Sequence, residues 1–447
     1  MGTVKTGRGK RLLLCWMAAA MVAGAAGCSQ SEPVSIEQAY INENGELVLT
    51  YTDGQEQNLG VVVGADGTDG KDGLDGKDGA DGKDGKDGVD GKDGLDGEDG
   101  SDGKDGSITV INKGSNIAYA TSKGLQSAVS IVCGDSSGSG VIYRLDKTKG
   151  EAFLITNHHV VYNADNRTAN GISKDITVYL YGSEIKAQGM KAEYVGGSAY
   201  YDIAVLHIQD SSLLQSSDAV AVTVSDSDKI VVGEAAIAIG NAKGEGISAS
   251  YGVVSVDSEH ITITTTNQTA RVIRVDTPVN PGNSGGGLYN ESGELLGIVN
   301  AKIIDSTVEN IAYAIPSNVA IYVADNIIDH CYGTACESVQ RGMLGVSVQT
   351  QASYMHTEKE TGHVYLCETV QIVEVTENSL VKGLVFEGDV LKSISFGDTA
   401  MEITRQFHVV DAMLKVREGD EITLGVIRDG EEVFVTVTMT KEHITEY

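Results

Sequence analysis

Pro281-Gly282-Asn283-Ser284-Gly285-Gly286-Gly287 places one serine hydroxyl among four glycines. Without Cβ atoms such a segment can turn tightly and point its amides the same way. One loop can then present a nucleophile and also cradle the anionic oxygen formed when it attacks a carbonyl. A serine hydroxyl is a weak nucleophile and needs a base beside it. Two partners lie upstream: His159 in Thr156-Asn157-His158-His159-Val160-Val161, and Asp202 in Tyr201-Asp202-Ile203-Ala204-Val205-Leu206. In acyl transfer His159 would take the proton of Ser284 and later deliver it to the leaving amine. Asp202 would fix the imidazole tautomer and stabilise the imidazolium. The amides of Gly282 and Ser284, with Asn283 between them, would stabilise the oxyanion. Spacing alone does not separate His159 from its neighbour His158.

These groups come from distant segments, so a scaffold must gather them. Between about residues 115 and 330 the chain alternates short β-branched runs with Gly, Asn and Asp. The runs are Ala128–Val132, Gly140–Tyr143, Ile176–Leu180, Ile203–Ile208, Ala235–Ile239, His260–Thr265, Leu295–Val299 and Ile311–Ile315. Short strands with close turns predict a mostly β fold of antiparallel barrels or a sandwich. The span suits two small barrels with a cleft between them. His207, His260, His330, His356, His363, His408 and His443 show no metal-ligand spacing, so neither a catalytic metal nor another cofactor is expected. Cys133, in an apolar run, reads as packing.

The chain has 447 residues, which suggests two or three domains, and a formal charge of −30, which disfavours nucleic acid as a partner. Lys5, Arg8, Lys10 and Arg11 precede an apolar run from Leu12 to Gly27, the pattern of a secretory signal over residues 1–27. Ala25-Ala26-Gly27-Cys28 resembles a bacterial lipoprotein box, which would make Cys28 the lipidated first mature residue. Plain cleavage or an uncleaved anchor helix are the alternatives. Each version places the protein outside the cytoplasm, and a lipid would anchor it to a membrane. Losing four cations with the signal takes the net charge from −30 to −34, which favours a hydrophobic anchor over electrostatic attachment to anionic lipid. Cys331 and Cys336 are close enough to close a small loop; free thiols are the alternative.

From Gly64 to Gly106 glycine recurs at every third position, each triplet reading Gly-X-Asp. This is a collagen-type period without proline. Fourteen Asp and Glu98 against six Lys leave −9 per strand. A triple helix would be a rod of about 130 Å; an unstructured spacer would span about 35–40 Å. Ahead of it, residues 29–63 form a small β element, with Glu46–Tyr51 alternating into a turn at Thr52-Asp53-Gly54.

The catalytic segments resemble the high-temperature-requirement A (HtrA, or Deg) family of serine proteases. The resemblance rests on Thr156-Asn157-His158-His159-Val160, Asp202-Ile203-Ala204-Val205-Leu206 and Asn280-Pro281-Gly282-Asn283-Ser284-Gly285-Gly286. It is supported by Gly138-Ser139-Gly140, Ile237-Ala238-Ile239-Gly240-Asn241 and Ala312-Tyr313-Ala314-Ile315-Pro316-Ser317-Asn318. It implies a chymotrypsin-like double β-barrel, cleavage of unfolded or misfolded protein and peptides, a homotrimer, and His159 as the catalytic histidine. The pocket for the residue before the cut bond would draw on Asn280, Val299, Asn300, Ala301 and Lys302. With no carboxylate there, a small aliphatic preference is expected; Lys302 either narrows the pocket or points outward. Gly287 stands where the family has proline or alanine, and should loosen the following strand.

Residues 340–442 read as a further domain of strands and one amphipathic helix over Arg405–Val416. Arg341-Gly342-Met343-Leu344-Gly345-Val346 and Gly383-Leu384-Val385-Phe386-Glu387-Gly388-Asp389-Val390 resemble the PDZ domain of the same family. There a peptide adds as an edge strand, and the Met343, Leu344, Gly345 and Val346 backbone would receive its terminal carboxylate. A domain that only regulates or tethers is the alternative. Two rivals to the enzyme remain: a catalytically latent chaperone or surface binding protein displayed on the collagen-like stalk, and an adhesin whose functional part is the repeat.

Overall fold

The computed structural model describes residues 36–42, 46–52, 54–61, 117–134, 136–162, 171–183, 189–263, 268–301 and 311–447. The expected signal, Cys28, the Gly-X-Asp repeat and Lys302 lie outside the described residues. The chain divides into two units, Met1–Lys104 and Asp105–Tyr447. In the first, β1 (Ile36–Ile41), β2 (Glu46–Tyr51) and β3 (Glu56–Val61) form an antiparallel sheet in that order. The turn after β2 passes through Gly54 at φ +82°, a left-handed conformation that glycine adopts without strain.

The second unit opens with α1 (Ile117–Ser127) and a closed barrel. Its strands are β4 (Ala128–Cys133), β5 (Ser136–Asp146), β6 (Glu151–Thr156), β7 (Ile176–Leu180), β8 (Met190–Ser198) and β9 (Ile203–Ile208), hydrogen-bonded in the order β4-β5-β6-β9-β8-β7. A one-turn helix, α2 (His158–Val161), follows β6, and α3 (Ser212–Ser216) follows β9. The second barrel holds β10 (Ala235–Gly240), β11 (Ser248–Ile263), β12 (Gln268–Val275), β13 (Gly287–Tyr289), β14 (Leu295–Val299) and β15 (Ala312–Pro316), in the order β10-β11-β12-β15-β14-β13. The expected His260–Thr265 strand belongs to the end of β11, a single 16-residue strand that shifts register twice between Val254 and Glu259.

The strand period of two explains how the barrels join. Ala204, Leu206 and Ile208 point into the first barrel, and Ala236 and Ala238 into the second. The alternate residues Ile203, Val205, Ile237 and Ile239 enter one cluster that both barrels share. A helix not expected from the strand pattern, α4 (Ser317–Cys331), closes that cluster with Val319, Ala320, Val323, Ala324, Ile327 and Cys331 at helical spacing. Cys331 and Cys336 are disulfide-bonded, and Cys133 and Cys367 are free and buried. Burial pushes the Cys133 thiol up to about 11.

The C-terminal module adds a two-stranded pair, β16 (Gln340–Gly342) with β23 (Ile444–Glu446). Its main sheet runs β17 (Val346–Thr357), β18 (Val364–Val375), β19 (Val390–Phe396), β21 (Glu421–Arg428), β22 (Glu431–Thr438), with β20 (Thr399–Glu402) beside β19. The expected Arg405–Val416 helix is shorter, α5 (Phe407–Met413). Its flanks tighten to three-residue turns, with His408 N–H donating to Arg405 O (3.2 Å) and Lys415 N–H to Ala412 O (3.1 Å).

Gly287 does not loosen its strand. It is buried in β13, and a Cβ there would lie 2.5 Å from two ring carbons and the hydroxyl oxygen of Tyr289. Tyr289 is fully buried and bonded through its hydroxyl to Ser127 Oγ (3.0 Å). The missing side chain at 287 is the space that the tyrosine fills. Gly287→Ala should therefore lower stability by about 1–3 kcal/mol in a denaturant titration. Adding Tyr289→Leu should make the two losses less than additive; a neutral Gly287→Ala would refute this packing account.

Candidate active site

Asp202 collects donors from two segments, residues 157–159 and Asn300. It sits between β8 and β9 at φ +52°, a left-handed conformation that costs a non-glycine residue strain unless its surroundings hold it. They do: its carbonyl accepts from Asn157 Nδ2 (2.9 Å) and the His158 amide (3.1 Å). Its carboxylate accepts from the His159 amide (3.0 Å, Oδ1), from His159 Nδ1 (2.7 Å, Oδ2) and from Asn300 Nδ2 (2.8 Å, Oδ2). An ionised carboxylate can only accept, so the ring proton sits on Nδ1 and Nε2 is left as the basic nitrogen. The helix that carries His159 is anchored by the buried Val160 and Val161.

Ser284 is delivered from the second barrel. Carbonyls in its loop are turned into protein: Pro281 O accepts from the Lys243 amide (2.8 Å), Gly282 O from Ser139 Oγ (2.7 Å), Asn283 O from the Gly286 amide (3.0 Å) and Ser284 O from the Ser139 amide (2.8 Å). In a trans peptide the next amide points the opposite way. The Gly282 and Ser284 amides are thus turned from these contacts, and neither has an acceptor among the described residues. The amide between them, Asn283, is taken by Asn280 O (3.0 Å). Two free donors one residue apart suit an oxyanion.

The barrels touch at this loop. Gly285 has φ +84°, and a Cβ on it would lie 2.2 Å from Ser139 O and 2.3 Å from Thr156 Oγ1. A Cβ at Gly138 would meet Val160 on α2 at 2.6 Å and Ser284 O at 3.3 Å, so the helix of His159 and the loop of Ser284 abut. Ser139 organises the contact. Its hydroxyl also accepts from the Asn241 amide (2.7 Å), and its carbonyl accepts from Thr156 Oγ1 (2.7 Å). In the sequence, Gly138-Ser139-Gly140 and Ile237-Ala238-Ile239-Gly240-Asn241 carry no signal for this role of Ser139 and Asn241.

Ser284 is buried, and its Oγ accepts from the Ala301 amide at 3.3 Å. Among the described residues it makes no hydrogen bond to His159. Bonds between a nucleophile and its base often close only on substrate binding. His158 is engaged elsewhere, its Nε2 against Glu337 Oε2 at 2.8 Å. His207 is likewise committed, to Glu151 (2.8 Å), and stacked on Phe153.

The expected specificity residues divide. The Val299 side chain is buried in the second-barrel core, and Asn300, also buried, turns to Asp202. Both are drawn inward by the strand alternation and by the carboxylate. Asn280 is exposed and Ala301 partly so.

Residues 138–298 match the family described as trypsin-like peptidase domain, and residues 59–110 the collagen triple helix repeat. The serine protease Do-like HtrB of Bacillus subtilis (strain 168) is 32% identical over 68% of this chain and 62% of its own length. The serine protease Do-like HtrA of Lactococcus lactis subsp. cremoris (strain MG1363) is 32% identical over 68% of this chain and 71% of its own. Among solved structures, HtrA-type protease AlgW with tripeptide is similar at 27% identity and TM-score 0.46, covering 72% of this chain and 96% of that one.

Asn300 holds one oxygen of a carboxylate, an interaction worth about 1.5–3 kcal/mol. Asn300→Ala should slow labelling of Ser284 by a fluorophosphonate by about tenfold or more, while Asp202→Asn should cost about 10⁴-fold. Labelling of Asn300→Ala at the unaltered rate would show the carboxamide to be dispensable.

Proposed function

Because the chain belongs to the HtrA family of serine proteases, we propose that it is an extracytoplasmic endopeptidase that cleaves unfolded or misfolded protein. Ser284 attacks the scissile carbonyl, His159 acts as base and then acid, and Asp202 holds the imidazole. The Gly282 and Ser284 amides receive the oxyanion in an acyl-enzyme mechanism. The carrying observation is the convergence of five donors on Asp202 beside a loop whose Gly282 and Ser284 amides have no acceptor among the described residues. Relatives named as periplasmic endoproteases support a site of action outside the cytoplasm. The anchor would be lipid on Cys28; among the described residues no helix is long and apolar enough to cross a membrane. The Gly-X-Asp tract would raise the protease as a three-stranded stalk, a symmetry that a protease trimer would share.

The C-terminal module would be a PDZ-type peptide binder. Leu344 O accepts from the Leu380 amide (3.0 Å) and Gly345 O from the Thr376 amide (2.9 Å), which turns the Gly345 and Val346 amides the other way, toward a peptide carboxylate. The Met343 amide is already given to His443 O (2.7 Å). β17 is an edge strand, and the Gln406 carboxamide occupies part of its border, donating to Val348 O (3.0 Å) and accepting from Thr350 Oγ1 (3.2 Å).

One observation favours a latent resting state: Ser284 Oγ is held by Ala301 rather than by His159. The readings part on a simple assay. A permanently unfolded substrate should be cleaved by the full chain and spared by Ser284→Ala. Binding without cleavage by the unaltered chain, whatever activating peptide is added, would support the latent chaperone.

A peptide strand must displace the Gln406 carboxamide. Gln406→Ala should therefore tighten a C-terminal peptide by about two- to tenfold in fluorescence anisotropy, the worth of one net hydrogen bond. An unaltered affinity would mean that the peptide does not pair at Val348.

A further inference from the structure

We propose that Glu337, presented by the disulfide-closed loop after α4, is a positioning residue for the His159–Asp202 pair. The inference rests on the catalytic reading of His159, Asp202 and Ser284.

His158 is the intermediary. Outward, its ring bonds Glu337 at 2.8 Å; inward, its amide donates to Asp202 O at 3.1 Å, and its peptide leads directly into His159. The ring has one seat. Only 7% of its side chain is exposed, Tyr162 stacks at 5.3 Å between ring centroids, and Gly197 lies against its edge. A Cβ on Gly197 would come 2.9 Å from His158 Cδ2 and 2.5 Å from the Tyr194 hydroxyl. Tyr194 is half-buried with its hydroxyl inside, and burial together with the Glu337 carboxylate pushes its phenol up, so it stays protonated.

Glu337 is itself fixed from the core. Cys331 ends α4 and is fully buried in the cluster the barrels share. The disulfide brings Cys336 back to it, and Cys336 O accepts the Gly197 amide at 3.1 Å in a short parallel bridge with Gly196. The fit is close, since a Cβ on Gly196 would lie 2.7 Å from Cys331 Cβ and 2.8 Å from Cys336 O. Without the cross-link the turn after the helix would rest on a few main-chain bonds. With it, Glu337 is held to the first barrel beside the residue that precedes the catalytic histidine.

Stability does not account for the pair. A histidine–carboxylate contact with one partner buried contributes little over an apolar side chain of the same size, because desolvation offsets the attraction. What it supplies is a fixed place for the 157–159 backbone, from which both Asp202 O and the catalytic ring are set. A displacement of about 1 Å there can cost about 10²-fold in rate.

The test is steady-state kinetics of the full chain on a peptide substrate, with thermal unfolding of every variant. Glu337→Ala and the double variant Cys331→Ala/Cys336→Ala should each lower kcat about 10- to 100-fold with KM within about twofold. Glu337→Gln keeps an acceptor and should retain most of kcat. Combining Glu337→Ala with the cysteine changes should cost no more than the larger single loss, since all act through one contact. His158→Phe preserves the ring volume and should lose kcat to the same degree, which keeps the test open if a Glu337 variant folds poorly. Unaltered kcat in folded Glu337→Ala or His158→Phe, or losses that appear in KM, would overturn the proposal. A wild-type chain that neither cleaves nor takes a fluorophosphonate would instead overturn the catalytic reading beneath it.

Discussion

The close approach of the two barrels at Gly285 is the constraint on which the site depends. One barrel supplies the His159 imidazole and the Asp202 carboxylate, the other the Ser284 hydroxyl and the Gly282 and Ser284 amides, and the proposed chemistry requires their relative placement to hold within a fraction of an ångström. The backbone of the nucleophile loop lies so near Ser139 and Thr156 that a methyl group at 285 would collide with both. Ser139 then ties the loop in register through its amide, hydroxyl and carbonyl at once. Behind this seam, Ile203, Val205, Ile237 and Ile239 pack in the cluster capped by α4. The polar seam sets direction; the apolar cluster behind it supplies the cohesion that short hydrogen bonds alone would not, given their small net worth.

A second consequence concerns Asp202. Its carboxylate is satisfied by the residue it orients and by Asn300 from the other barrel. The carboxylate is therefore a third link between the halves. Tyr201, the preceding residue, receives a hydrogen bond from Arg341 of the C-terminal module (3.1 Å), and Arg341 packs over the Tyr447 ring. The loop that carries the acid is thus gripped from the first barrel, the second barrel and the module.

Much of this was legible in the sequence because its signals are local. The nearly continuous apolar runs at Ile203–Ile208 and Ala235–Ile239, short and bounded by turns, give strands directly, since both faces of each are buried and every residue is apolar or paired. The nucleophile loop and its two partners stand out by residue type. The rest depends on meetings between segments distant in sequence. Nothing in the stretch around Asn300 says that its carboxamide turns inward to Asp202 rather than outward to substrate; strand parity decides it, and parity is fixed by where the strand ends. Gly287 reads as a loosening until Tyr289, two residues on and on the same face, is seen to need the room. The helix α4 follows directly from the Ala312–Pro316 strand, and its apolar stripe is only visible at a spacing of three and four.

The contact between the second barrel and the C-terminal module shows how such pieces are kept from sliding. Arg271 on β12 is buried between Asp411 of α5 and Asp228 of its own barrel (2.7 Å), with Phe407 stacked on its guanidinium. Arg405 of the module returns the arrangement, reaching Asp257 of the barrel (2.8 Å). Each side therefore donates one cation and one carboxylate. Burial pushes the Asp411 carboxyl up to about 6 while Arg271 acts the other way, so burial is the larger effect and desolvation offsets much of the attraction. Removing either partner would strand a largely buried charge, whereas sliding the surfaces would unpair both bridges together. Reciprocal bridges of this kind contribute less to the strength of the contact than to its register. The same register holds Arg341 against the Tyr201 hydroxyl, one residue from the Asp202 carboxylate.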